Sequence, residues 1–230
     1  TDIDSVMNDN EIENIIISTT HDSHADLVCK ALEKNKNIFV EKPLCISISQ
    51  LKTIEEYYRR SSSILMVGYN RRFSPLSIRV KELISLCHEP ISVNYTINAG
   101  RVPKESWVGD KDKSGGRIIG EVCHFIDLIK YFCGSSIREY HIVKKEFSDS
   151  CIINLIFKNN SIANINYFDN GSKIYQKERI EIFVTERTLI IENFRKLKGF
   201  GWNNFNTMNL WKQNKGNMEC VNGFIKSIKN

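Results

Sequence analysis

Lys42 stands in the tripeptide Glu41-Lys42-Pro43, and His124 in the run Glu121-Val122-Cys123-His124-Phe125-Ile126-Asp127. Either side chain can carry a proton to or from a ligand. An imidazole titrates near neutrality. A free lysine, near pKa 10.4, is a base at pH 7 only where its surroundings lower that value by roughly 2 to 3 units, about 3 to 4 kcal/mol. Glu41 beside it would work the other way. Both residues have a plain structural alternative: a solvated amine at a strand-ending Lys-Pro turn, and a satisfied core histidine on an apolar helix. Asp127, one turn beyond His124, would either orient that ring or face a backbone amide. Arg71, Arg72, Lys104 and Arg117 could hold a carboxylate or diphosphate, since the guanidinium fork matches planar oxyanions; surface solvation is their alternative. No metal is expected, because Cys123-His124 with Cys133 lacks the spacing of a closed zinc site.

Elements must bring these groups together. Glu13-Asn14-Ile15-Ile16-Ile17-Ser18-Thr19-Thr20 is a short apolar run closing in polar turn residues, the pattern of a strand buried in a parallel sheet. Ser23, three residues before Asp26, predicts a capping box. Leu27, Val28, Ala31 and Leu32 share one face of the helix that follows, which Asn35 to Asn37 would end. Ile38-Phe39-Val40 is a second strand, stopped by Pro43, which lacks an N–H and biases Lys42 to extended geometry. A helix from Ser49 to Arg59, with Leu51, Ile54, Tyr57 and Tyr58 as its apolar stripe, leads to a third strand from Ile64 to Tyr69. Strands alternating with helices predict an open parallel α/β sheet, and ligands bind outside the carboxyl ends of such strands. Those ends carry Thr19 to His24, Glu41 to Pro43, and Tyr69 to Phe73.

Three parallel strands make half of a doubly wound dinucleotide-binding domain, so this part is read as a truncated Rossmann sheet. The opening Thr-Asp-Ile-Asp lacks an initiating Met and any signal-like segment, which adds the expectation that something upstream is missing. Neither glycine cluster supplies a phosphate cradle. Gly199-Phe200-Gly201 sits in an aromatic, Asn-rich loop, and Gly115 to Gly120 runs into Glu121-Val122 where a P-loop needs Lys and Ser/Thr.

After a predicted helix from Ser74 to Cys87 the texture alternates: Ile91 to Ala99, Arg138 to Phe147, Cys151 to Phe157, Ile162 to Phe168, Arg179 to Val184 and Thr188 to Glu192. These predict a mostly antiparallel open sheet with tight turns at Lys158-Asn159-Asn160 and near Thr185-Glu186. One long helix, Ile118 to Phe132, interrupts it. Val122, Phe125, Ile126, Ile129 and Phe132 form its apolar face, with Glu121, His124, Leu128 and Tyr131 on a neighbouring stripe. The Gly115-Gly116 pair before it permits a sharp turn or a close backbone approach to a ligand. Met218 to Ile228 reads as a final helix.

Composition narrows the function classes. Of 230 residues 41% are hydrophobic and 26% charged, ordinary values for a globular chain. Lys+Arg 32 against Asp+Glu 27 leaves +5, scattered without a basic run, which argues against nucleic acid as a partner. Ile15 to Ile17 and Ile64 to Val67 fall far short of the roughly 18 residues a spanning helix needs, so no membrane segment is expected. Seven cysteines, odd in number and without a C-x-x-C pair, argue against a disulfide framework and read as reduced thiols in a cytoplasmic protein.

Four strings then stand together in order: Ile17-Ser18-Thr19-Thr20-His21-Asp22-Ser23-His24; Val40-Glu41-Lys42-Pro43; Val67-Gly68-Tyr69-Asn70-Arg71-Arg72-Phe73; and Gly115-Gly116-Arg117-Ile118-Ile119-Gly120-Glu121-Val122-Cys123-His124-Phe125-Ile126-Asp127. With Asn98-Ala99-Gly100, Pro103-Lys104 and Trp107, they resemble the Gfo/Idh/MocA oxidoreductases, named for glucose-fructose oxidoreductase and inositol dehydrogenase. The likeness extends over the whole chain. It is nearest to a subgroup found alone or fused behind a zinc-type alcohol dehydrogenase-like module.

The resemblance implies that residues 1–70 are the C-terminal half of an NAD(P)-binding Rossmann domain. Residues 71–230 would form an α/β domain for substrate binding and for assembly, through its open sheet, into a homodimer or homotetramer. It implies hydride transfer between NAD or NADP and a secondary alcohol or ketone of a sugar, cyclitol or nucleotide-sugar. The proton left by that step goes to Lys42 and His124 as the acid/base pair. Thr19, Thr20, His24, Glu41, Lys42, Pro43, Asn70 and Arg71 would line the cofactor. Lys104, Trp107, Arg117, Glu121, His124 and Asp127 would meet the substrate, Trp107 by stacking on a sugar face unless it is a core aromatic. Many relatives have Asp four residues before this His, where Gly120 stands here with Glu121 beside it, so an inositol-like substrate is in question. The alternatives are a non-catalytic binding or oligomerisation module, or an enzyme active only with a fused partner domain.

Overall fold

The computed structural model describes residues 2–103 and 106–229. Two compact units are formed, one of Thr1–Tyr69, Pro103–Cys123 and Met218–Asn230, the other of Asn70–Val102 and His124–Asn217.

In the first unit, helix α1 (Ile3–Asn8) precedes the series β1 (Asn14–Ile17), α2 (His21–Glu33), β2 (Asn37–Val40), α3 (Ile48–Arg60) and β3 (Leu65–Val67). The strands pair in parallel in the order β1-β2-β3, as the alternation predicted. Ile15, Ile17, Ile38 and Val40 meet Ala25, Val28, Ala31 and Leu32 of α2 in one core, and Phe39 packs on Phe224 of helix α7 (Asn217–Ser227). Ile16, Phe39's neighbour in register, is exposed, so β1 alternates where a fully buried strand was expected.

Two helix starts differ from expectation. Extended Thr20 already turns the chain, so α2 begins at His21 and Ser23 falls inside the first turn, its hydroxyl donating to the Thr20 carbonyl at 2.8 Å; it caps nothing. Ser47 caps α3, accepting from the Gln50 amide at 3.2 Å. Only Ile54 of the predicted stripe on α3 is buried; Leu51, Tyr57 and Tyr58 are exposed. The short α1, capped by Asp2, was not foreseen, its six residues being too few to show a period. The rest of the unit holds a 3-10 turn (Trp107–Gly109), α5 (Lys111–Ser114) and a π-helical turn (Ile118–Val122).

The second unit is built on an eight-stranded sheet in the order β11-β10-β9-β8-β4-β7-β6-β5. Its strands are β4 (Ser92–Asn98), β5 (Ile137–Lys144), β6 (Cys151–Phe157), β7 (Ile162–Phe168), β8 (Glu178–Val184), β9 (Arg187–Glu192), β10 (Lys196–Phe200) and β11 (Thr207–Asn209). All neighbours are antiparallel except β4 and β7, which run parallel. The β8–β9 hairpin turns at Thr185 and Glu186, both with positive φ, and the β6–β7 turn holds Asn160 at φ 65°, at the two places where turns were expected. Strands β10 and β11 were missed: Gly199 and Phe200 belong to β10, whose anchor is the single buried Leu197 between two lysines.

Helices α4 (Pro75–Ile84) and α6 (Cys123–Cys133) belong to this unit apart from Cys123. Phe125 of α6 lies edge-on to Tyr95 and tilted against Tyr167, so the inner residues of β4 and β7 are sealed by that helix. Leu128, placed by periodicity on the polar stripe, is fully buried.

Candidate active site

At the carboxyl ends of the three parallel strands, main-chain bonds run on past the sheet: Glu41 N donates to Ile17 O and Gly68 N to Val40 O, each at 2.8 Å. The polar residues after each strand are therefore held side by side. His24, wholly buried, ties two of these ends, with Nδ1 2.8 Å from the Pro43 carbonyl and Nε2 3.1 Å from the Thr19 carbonyl. Its role is to clamp the loops; a ring buried among backbone carbonyls offers no surface to a ligand. Pro43, also buried, supplies one of those carbonyls, and the Lys42–Pro43 peptide before it is cis. Thr19 Oγ1 shares a 2.6 Å hydrogen bond with Ser23 Oγ, and Thr20 is the N-cap residue of α2. The Glu41 carboxylate lies over the end of β3, where a side-chain carbon on Gly68 would come within 3.3 Å of it.

Lys42 Nζ donates to the carbonyl of Gly120 at 2.8 Å. That carbonyl belongs to the π-helical turn, a distortion common at functional sites because it redirects a backbone group out of the helical ladder. The turn is set up by two left-handed glycines, Gly115 and Gly116; a Cβ on Gly115 would lie 2.7 Å from Ile46. Arg117 is buried with its Nε 3.5 Å from Glu121 Oε1. Trp107 is 41% exposed and meets the ring of His21 edge-on at 4.8 Å. His21 itself is buried, its Nδ1 3.0 Å from the Ser114 carbonyl. Burial and, after the opposing Ser114 hydrogen bond, the charge of Lys42 hold this imidazole below its ordinary pKa. No site role was assigned to His21 from the sequence, because nothing in its spacing announces a partner 93 residues away.

In the second unit the anticipated anion binders have internal partners. Arg71 is buried with Nε and Nη2 donating to Glu178 at 2.8 and 2.9 Å; Lys215 Nζ reaches the same carboxylate at 2.6 Å, and the Tyr95 hydroxyl also donates to it. Burial alone would raise the Glu178 carboxyl, yet Arg71 and Lys215 bring it down to about 2. Arg72 grips Asp127 through both carboxylate oxygens, so Asp127 neither turns toward the His124 ring nor faces a backbone amide. Burial nevertheless pushes the Asp127 carboxyl up, Arg72 opposing it. The guanidinium forks of Arg71 and Arg72, expected to hold a carboxylate or diphosphate, are thus engaged by side chains of the chain itself, Arg71 in a buried pair and Arg72 in a partly exposed one. Asn70 Nδ2 donates to the Lys215 carbonyl at 3.0 Å. His124 lies buried on α6. Lys104 lies outside the described residues.

The first unit thus gathers Thr19, Glu41, Lys42, His21, Trp107 and the Gly120 carbonyl. This hydroxyl, carboxylate and ammonium suit the carboxamide and ribose hydroxyls at the nicotinamide end of a dinucleotide. No glycine-rich loop joins β1, β2 or β3 to its following segment, so the described residues offer no diphosphate cradle. Among the described residues no group of three or more His, Cys, Asp or Glu is placed to hold a metal ion, and no helix is long and apolar enough to cross a membrane.

Comparison with known proteins bears on this geometry. Residues 1–69 match the family model GFO_IDH_MocA, an oxidoreductase family with an NAD-binding Rossmann fold, and residues 87–185 match its C-terminal alpha/beta domain. The uncharacterised oxidoreductase YrbE of Bacillus subtilis is 27% identical over 207 residues, 84% of this chain and 59% of its own length. The scyllo-inositol 2-dehydrogenase (NAD(+)) of the same organism is 34% identical over 135 residues, 57% of this chain and 38% of its own length. The chain therefore spans less than two thirds of these curated relatives. Levoglucosan dehydrogenase, solved with NADH and L-sorbose, has the same fold at TM-score 0.85 and 20% identity, covering 99% of this chain and 73% of that one.

Proposed function

The chain belongs to the Gfo/Idh/MocA oxidoreductases, matched by both of that family's domains, and on that premise we propose that it serves hydride transfer between NAD(H) and a secondary alcohol of a sugar or cyclitol. The single observation that carries this is the convergence of Thr19, Glu41 and Lys42 at the carboxyl ends of three parallel strands, the place where open α/β sheets bind ligands. The nicotinamide would supply the hydride chemistry. Thr19 and Glu41 would hold its carboxamide and ribose, and Lys42 would pass the proton of the reacting hydroxyl. Tethering to the Gly120 carbonyl keeps the Lys42 ammonium in one place, so little motion is spent in presenting it. Trp107, half-exposed, offers a ring face on which a sugar could stack. His124 is the proposed second proton carrier, and Arg117 with Glu121 the polar pair toward the substrate.

Binding is tested on the chain itself by titrating nicotinamide mononucleotide and NADH against amide NMR signals. Shifts confined to Thr19, Glu41 and Lys42 are expected with both ligands; the absence of shifts at saturating mononucleotide overturns the reading in favour of a non-catalytic module. Turnover of a sugar and cyclitol panel should fall at least about 100-fold in Lys42→Met and in His124→Ala, the size of a lost general acid or base. Unchanged turnover in both variants would remove them from the reaction.

A second reading concerns assembly. Tyr140, Ile142 and Val143 are exposed on β5, an edge strand of the eight-stranded sheet, and Ile162 and Phe183 on its outer side. Exposed apolar edges invite pairing, so we propose a homodimer or homotetramer through this sheet. Light scattering that returns only monomer at high concentration would refute it.

A further inference from the structure

Building on the reading above, we infer that His21 is a positioning residue: it holds the Ser114–Gly120 segment against the β1–α2 loop and thereby sets the carbonyl to which Lys42 is tied. Three contacts carry this. The Ser114 carbonyl can only accept, so the hydrogen bond at 3.0 Å puts the proton of the imidazole on Nδ1. The ring stands edge-on to Trp107 at 4.8 Å. A Cβ at position 120 would lie 2.9 Å from His21 Cε1 and 3.3 Å from Nδ1, nearer than ring atoms tolerate. The imidazole is therefore seated against Gly120, and the carbonyl of that same glycine takes the Lys42 ammonium at 2.8 Å.

This explains the missing side chain at 120. Gly120 does not adopt positive φ, so its backbone does not demand glycine; the neighbouring ring does. The polar group at this place comes instead from His21, the first residue of α2. The charged and titratable groups around the ring are Lys42 from the end of β2, and Asp22 and His24 from its own helix. Burial, Lys42 and His24 favour the neutral ring, and the Ser114 hydrogen bond and Asp22 act against them.

Nitrogen-15 NMR of the histidine side chains tests the assignment without any turnover. His21 should appear as the Nδ1–H tautomer with a midpoint below 6.5, and Lys42→Met should raise that midpoint; a free-imidazole titration indifferent to Lys42→Met overturns the inference. A double-mutant cycle gives a second readout. Gly120→Ala should lower Tm by several degrees in the parent chain and have almost no effect beside His21→Ala, whereas equal losses in both backgrounds would refute the contact. His21→Asn, whose amide can still donate to Ser114, should restore the kcat lost in His21→Ala with KM for NADH unchanged; failure of Asn to restore it counts against positioning. Should the tautomer and the cycle hold while no nicotinamide binds, the proposed function fails and this role of His21 stands. Nicotinamide binding beside a freely titrating His21 would sink the inference alone.

Discussion

Glu178 shows how much one residue can carry. It is fully buried and receives Arg71, Lys215 and Tyr95 at once, so removing its charge leaves two cations desolvated without a counterion. Glu178→Gln should cost about 3 to 5 kcal/mol, read from urea unfolding; a loss below about 1 kcal/mol would show that water replaces the carboxylate. The pH dependence follows from the same group. Its carboxyl falls from 4.5 in the unfolded chain to about 2 in the fold, so the stabilisation is complete above pH 4.5 and is lost as pH drops from there toward 2. That shift corresponds to something on the order of 3 kcal/mol. His21 behaves oppositely in charge type though not in direction. Its folded pKa lies below the ordinary 6.5, so the unfolded chain takes up the proton first and stability declines as pH falls below 6.5. A protonated imidazole against Trp107 should quench that indole, and the acid-dependent change in emission should vanish in Trp107→Phe.

At the scale of elements, the turns are where the chain departs most from conformational ease. The β8–β9 hairpin places Thr185 at φ 47° and Glu186 at φ 57°, a geometry that Asn and Gly adopt without strain and a β-branched residue does not. Thr185→Asn combined with Glu186→Gly should stabilise the second unit by roughly 1 kcal/mol, seen as a rise in the denaturant midpoint with unchanged slope. A fall would mean that the Thr185 or Glu186 side chain makes a contact worth more than the strain. In the first unit, Ser47→Ala removes the side-chain acceptor of the Gln50 amide at the start of α3 and should cost about 1 kcal/mol. Legibility also varied by element. The period-2 pattern of Cys151–Phe157 and Ile162–Phe168 placed β6 and β7 to the residue, because alternate side chains face a sealed core and a half-open surface. Lys196–Phe200 escaped notice because one buried Leu197 cannot display a period.

For the molecule as a whole, the two units have separate acid sensitivities: His21 belongs to the first and Glu178 to the second. Acid titration should therefore show an early change below pH 6.5 reported by Trp107 and a later one below 4.5 reported by the buried Trp202 of the second unit. A single coincident transition would mean that the units unfold as one.

Alternation of short apolar runs with amphipathic helices determined the parallel sheet, and the strings around Lys42 and His124 determined the family, since both are properties of residues close in sequence. The partners of the charged groups were decided only in three dimensions. Arg71 and Arg72 look alike on the chain as anion binders, yet one meets Glu178 across 107 positions and the other Asp127 across 55. Likewise the ring of His21 and the bare Cα of Gly120 gain meaning from each other, because excluded volume and hydrogen-bond reach act through space.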